Sequence, residues 1–164
     1  MRLDLIKLIN QDLKPYGQLF VISPKQLKGF STALTLDWKK VRFAESNRQL
    51  VPSARGIYAF IVELNEGGLP PHGYVMYVGI SGETGGHNLR KRYGDYLGYR
   101  ETAKRAGVHY MLRNWDSVLF FHYAEVQDRR VSLRKLEREI SDALVPPFST
   151  NDFSAEIRKA KKAF

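Results

Sequence analysis

The chain has no cysteine, which excludes disulfides, thiolate metal sites and cysteine nucleophiles together. Its four histidines, His72, His87, His109 and His122, are scattered and lack the paired spacing of a zinc site. No apolar run approaches the ~20 residues needed to cross a bilayer, and Met1-Arg2-Leu3-Asp4 leads into no signal-peptide core. A soluble cytoplasmic protein with no membrane partner is the expectation. Negative charge is also scarce: 17 Asp and Glu stand against 26 Lys and Arg, a formal +9, with a pI near 9.8. That balance favours polyanionic partners such as nucleic acid, although many merely soluble surfaces are as basic. What is present in quantity is core-forming material, 43% hydrophobic over 164 residues, enough for one folded domain.

Apolar residues at Leu3, Leu5, Ile6, Leu8, Ile9 and Leu13 predict a short amphipathic helix ended by Pro15 and Gly17. The mixed stretch to Leu50 has a soft boundary near Pro52. Gly56 to Glu63 and Tyr74 to Ser81 read as strands joined by the loop Asn65 to Gly73, most simply an antiparallel hairpin. A helix near Asn88 to Ala106 follows, capped by Asn88; then a third strand, Val118 to Val126; then a helix from the cap Ser132 to about Leu144, stopped by Pro146-Pro147. The fold class is α+β, a small antiparallel three-stranded sheet flanked by helices. Residues 1–51 form a mixed N-terminal extension, 52–152 the main domain and 153–164 a basic tail.

Strand alternation puts Tyr74, Met76, Val78 and Ile80 on one side, and Val75, Tyr77, Gly79 and Ser81 on the other. On the partner strand Tyr58 shares a side with Phe60 and Val62. Either tyrosine alone reads first as a packing aromatic, and only the joint pattern points elsewhere. In the last helix Leu133, Leu136, Ile140, Ala143 and Leu144 form one apolar arc, and Glu137 falls inside it while Arg138, Glu139 and Asp142 point away. A carboxylate directed inward needs a cation or a salt-bridge partner, unless it escapes to water at the edge. Arg92 borders the stripe Leu89, Tyr93, Tyr96 and Leu97; Arg90 borders its other side and Lys91 faces away.

Taken together, Gly56-Ile57-Tyr58, Tyr77-Val78-Gly79, Leu89 with Arg92 three positions on, Glu137, and Asn151 after the double proline resemble the GIY-YIG nucleases. Their catalytic domains occur in excision-repair incision proteins and homing endonucleases. The resemblance spans about residues 52 to 152. It implies a divalent-metal-dependent endonuclease cutting phosphodiesters, DNA being the expected substrate. Tyr58, Tyr77, Arg92, Glu137 and Asn151 would be catalytic. Glu137 would hold Mg²⁺ (or Mn²⁺), Arg92 would stabilise developing charge, and Tyr77 would assist the attacking water with Tyr58 as its neighbour or substitute. Arg90, Lys91 and Arg134 are candidate nucleic-acid contacts. Lys104, Arg105, Arg129, Arg130 and the C-terminal cluster could neutralise further phosphates. Asn151 also reads as part of a polar turn. The long loops and the stretch from Gly98 to Trp115 depart from the usual family lengths and are expected as surface insertions. Two other readings stand beside this one: a non-catalytic nucleic-acid- or partner-binding module, and an RNA-cleaving toxin or defence nuclease. Residues 1–50 are candidates for contact with a second copy or a protein partner.

Overall fold

A computed structural model describes residues 5–65 and 68–163. The expected helix start at Leu3 and two loop residues, Glu66 and Gly67, lie outside them. The described helices are α1 (Leu5–Lys7), α2 (Pro24–Gly29), α3 (Leu89–Glu101), α4 (Ala106–Asn114), α5 (Leu133–Leu144) and α6 (Ala155–Lys161). The first continues irregularly through Leu8–Leu13, and none of its described residues is buried. No helix among the described residues is long and apolar enough to cross a membrane.

β2 (Gly56–Leu64) and β3 (His72–Ser81) form the expected antiparallel hairpin, and β4 (Leu119–Glu125) pairs with the other side of β2. The expectation of three strands is corrected by a fourth. β1 (Lys39–Arg42) pairs with β4, giving the order β1-β4-β2-β3. Its sequence, Lys-Lys-Val-Arg, suits an exposed edge, where charge discourages pairing with another chain. This strand lies within residues 1–51, and the nearby Phe43 and Val51 are fully buried.

One face of the sheet carries Tyr58, Phe60, Val62, Met76, Tyr77 and Phe121, packed against α3 and α4. The other carries Ile57, Ala59, Val78 and Ala124 against Leu133, Leu136 and Ile140 of α5. Strict alternation along β3 fails at a bulge: Phe60 faces Tyr77 while Ile61 faces Val75, so Met76 is the extra residue. Met76 and Tyr77 therefore enter the same core, whereas Val78 enters the other. The expected grouping of Met76 with Val78 and Ile80 is corrected accordingly.

The helix expected to run to Ala106 ends earlier, at Glu101. There the Thr102 amide and hydroxyl both donate to Gly98 O, each at 3.1 Å. The separate α4 then buries Val108, Met111 and Leu112, and Trp115 follows it into the core. This segment is core structure, so the expectation of a surface insertion there is also corrected.

After α5, Val145 takes a left-handed conformation (φ 45°) while its amide donates to Ser141 O. Pro146-Pro147 blocks any continuation of the helix. The chain then runs along the free edge of β3: the Phe148 amide donates to Met76 O at 3.0 Å and the Val78 amide to Ser149 Oγ at 3.3 Å. Lys161 of α6 pins this turn, its ammonium donating to the carbonyls of Pro146, Pro147 and Ser149. Part of the basic tail is thus a brace, engaged in holding backbone.

Candidate functional site

Two glycines explain why the tyrosines sit where they do. In register Tyr58 lies opposite Gly79, and a Cβ on Gly79 would stand 2.3 Å from the Tyr58 hydroxyl. The glycine of the second motif therefore leaves the space that the phenol of the first one crosses. A Cβ on Gly56 would stand 2.2 Å from Ala124 O, so side-chain-free backbone is needed there for β2 to approach β4. Packed this way, Tyr58 stacks on Phe121 (5.1 Å between ring centroids) and is buried.

Its hydroxyl lies 2.9 Å from that of Tyr96 on α3. Tyr77, opposite Phe60, has its ring 6.4 Å from Tyr58 and 6.0 Å from Tyr96. Three phenols thus form a cluster where two were expected. Burial pushes both Tyr58 and Tyr96 well above the ordinary tyrosine range; Tyr77 adds to the effect on both, while Arg92 opposes it at Tyr58 and Arg105 at Tyr96. Tyr58 in this setting keeps its proton, which makes it a structural donor or acceptor and a poor base.

Arg92 is half-buried beside the apolar stripe of α3, as its spacing from Leu89 implied. Its guanidinium reaches Asp95 at 3.4 Å, while Nε is buried without a hydrogen-bond partner among the described residues. Burial works against its charge, and the phenols of Tyr58, Tyr96 and Tyr77 together with Asp95 hold the charge in place.

Glu137 is half-buried on the inner side of α5, as the apolar arc predicted. Burial, reinforced by the carboxyl of Asp152, pushes it up to about 8; Arg92 and Arg134 pull the other way. The helices carrying Arg92 and Glu137 pack on opposite faces of the sheet. The charge of Arg92 nonetheless acts both on the Glu137 carboxyl and on the Tyr58 phenol, lowering each against the effect of burial.

The remaining expected residues divide. Asn151 is exposed in its bend, while its neighbour Asp152 is half-buried, shifted upward by burial and coupled to Glu137. Arg90 is tied to backbone, donating to Val51 O at 2.7 Å and Gln49 O at 3.3 Å. Lys91 is exposed and donates to Gly86 O. Arg134 is exposed at the first turn of α5, close enough to act on Glu137. That turn is fixed from below by Glu83, which accepts from the Leu133 amide at 3.2 Å and from Arg55 at 2.8 Å.

The sequence did not single out Tyr96 or Asp152, Tyr96 being visible only as part of an apolar stripe, and it offered Arg105 only as one of several cations that could neutralise phosphates. Arg105 is half-buried, with its Nη2 3.5 Å from the Tyr77 hydroxyl. An apolar cavity of about 310 Å³ lies elsewhere, between the sheet, α2 and α5, and its lining includes none of the expected site residues. No family model, curated protein or solved structure matches the chain.

Proposed function

We propose that the chain is a divalent-metal-dependent endonuclease of the GIY-YIG type, hydrolysing phosphodiesters of nucleic acid, with DNA as the favoured substrate and the cytoplasm as its setting. What supports this reading is that the charge of Arg92 acts both on a cluster of phenols and on a carboxyl that burial pushes up to about 8. The Arg92 side chain is partly exposed, and a phosphate oxygen would take a donor from its guanidinium there.

The donors beside it fit a hard cation. Once a bound cation ionises them, Glu137 and Asp152 would supply anionic oxygen, and Mg²⁺ or Mn²⁺ needs only one or two carboxylates when substrate phosphate and water complete its shell. No group of three or more acidic or histidine ligands occurs among the described residues, so the phosphate itself would have to complete such a site. Glu137 would hold the ion, with Asp152 next to it, and the ion would supply Lewis-acid polarisation of the phosphate. In hydrolysis water adds to phosphorus and the bond to the 3′ oxygen breaks, leaving a 5′ phosphate and a 3′ hydroxyl. Tyr77 orients the attacking water and takes part in moving its proton. Arg92 donates to a non-bridging oxygen as charge builds there. Tyr58 and Tyr96 hold the wall behind Tyr77.

The test is incubation of plasmid, linear duplex and RNA with Mg²⁺ or Mn²⁺. Cleavage stopped by EDTA and abolished by Glu137→Gln and Arg92→Ala is the expected result. Salt-sensitive binding with no cleavage of any polymer would transfer the protein to the binding-only class. Cleavage confined to RNA would move it to the toxin or defence class.

A further inference from the structure

Arg105 is held in a way that its surface-cation composition does not explain. It lies between α3, whose end is closed by Thr102 on Gly98, and α4, for which it occupies the N-cap position. Its side chain caps no amide of α4. Instead it turns to the sheet: the guanidinium carbon lies 5.6 Å from the Tyr77 ring centroid and 5.9 Å from that of Tyr99. Two aromatic faces fix the plane of a delocalised cation more firmly than either one alone. From that plane Nη2 points to the Tyr77 hydroxyl at 3.5 Å, a long contact of the kind that tightens when substrate binds.

We propose that Arg105 is a positioning residue, setting the orientation of the Tyr77 hydroxyl toward the attacking water; the inference rests on the nuclease reading. A phenol oxygen that accepts from a guanidinium has that lone pair committed, so its own proton and remaining lone pair are directed away from Arg105. Tyr77 is then aimed by Arg105, while Tyr58 and Tyr96 pack near its ring at centroid distances of 6.4 and 6.0 Å. The charge of Arg105 also acts on Asp152, which ties the phenol end of the site to the carboxyl end. Lysine cannot reproduce this, because an ammonium neither stacks in a plane nor presents a fork.

A double-mutant cycle on plasmid cleavage in Mg²⁺ tests the idea, using wild type, Arg105→Gln, Arg105→Lys, Tyr77→Phe and the two combinations, each checked for folding by thermal melting. Arg105→Gln is expected to lower kcat by about 10- to 100-fold with KM changed less than about threefold. In the Tyr77→Phe background the same substitution is expected to change kcat by less than about threefold, since the group it acts through is gone. Arg105→Lys should resemble Arg105→Gln, and it keeps the cycle usable if the glutamine variant fails to fold. Additive losses, or a loss confined to KM, would overturn the inference while leaving a nuclease in place. A wild type that cuts nothing would overturn the nuclease reading and this inference with it.

Discussion

Replacing Glu137 by Gln is expected to stabilise the metal-free protein, by an amount that grows with pH. The carboxyl ionises near 4.5 in the unfolded chain, and burial beside Asp152 raises it to about 8 in the folded one. Below pH 4.5 both states hold the proton and the residue costs nothing. Between 4.5 and 8 the unfolded chain releases its proton while the folded protein retains it. Folding stability is therefore lost at about 1.4 kcal/mol per pH unit, reaching about 3 kcal/mol at pH 7 and levelling near 5 kcal/mol above pH 9. Glutamine has no proton to lose and keeps nearly the same volume. Arg92 retains Asp95 at 3.4 Å, so the substitution strands no cation. In EDTA the variant should melt with the wild type at pH 4.5 and roughly 9–18 °C above it at pH 8. Adding Mg²⁺ at pH 8 should close the gap by stabilising the wild type alone, with affinity rising as the carboxyl ionises. Thermal melts across pH 4.5–9 check this. A variant less stable than wild type at pH 8, or a difference independent of pH, would refute the account of Glu137 as a buried carboxyl awaiting a cation.

Gly79→Ala places a methyl 2.3 Å from the Tyr58 hydroxyl, so the ring must leave its stack on Phe121; a loss of about 2–3 kcal/mol in urea melts is expected, with cleavage impaired. Lys161→Met removes three donations to the turn along β3, and should cost about 2 kcal/mol while lowering kcat through displacement of Asp152. Leu112→Ala opens a cavity under α4 and should cost about 2–4 kcal/mol, against less than about 0.5 kcal/mol for a true surface insertion. Arg92→Lys should lower kcat at least about 100-fold, while Glu139→Ala, which lies outside the inner arc of α5, stays within about threefold of wild type.

The parts legible in the sequence are those whose signal is local. The hairpin announced itself by two β-rich runs, and Asn88 and Ser132 cap their helices as expected, accepting from the Lys91 and Lys135 amides. The inward side of α5 followed from helical period alone, and so did the half-burial of Glu137. What remained hidden is relational. β1 has one apolar residue in four, and only β4 beside it makes it a strand. The bulge at Met76 belongs to the pairing of two strands, so neither strand's alternation reveals it, yet it decides that Tyr77 joins the core of α3 and α4. Asn151 and Asp152 are adjacent polar residues in one turn, and which of them meets Glu137 depends on how Phe148 and Ser149 seat on β3. Arg105 is one basic residue among 26 until the break between α3 and α4 delivers it to Tyr77. The candidate residues are thus legible as chemical types spaced along the chain, where pattern finds them; how they are arranged depends on helices packed against both faces of the sheet and on the chain after α5 that runs along its edge strand.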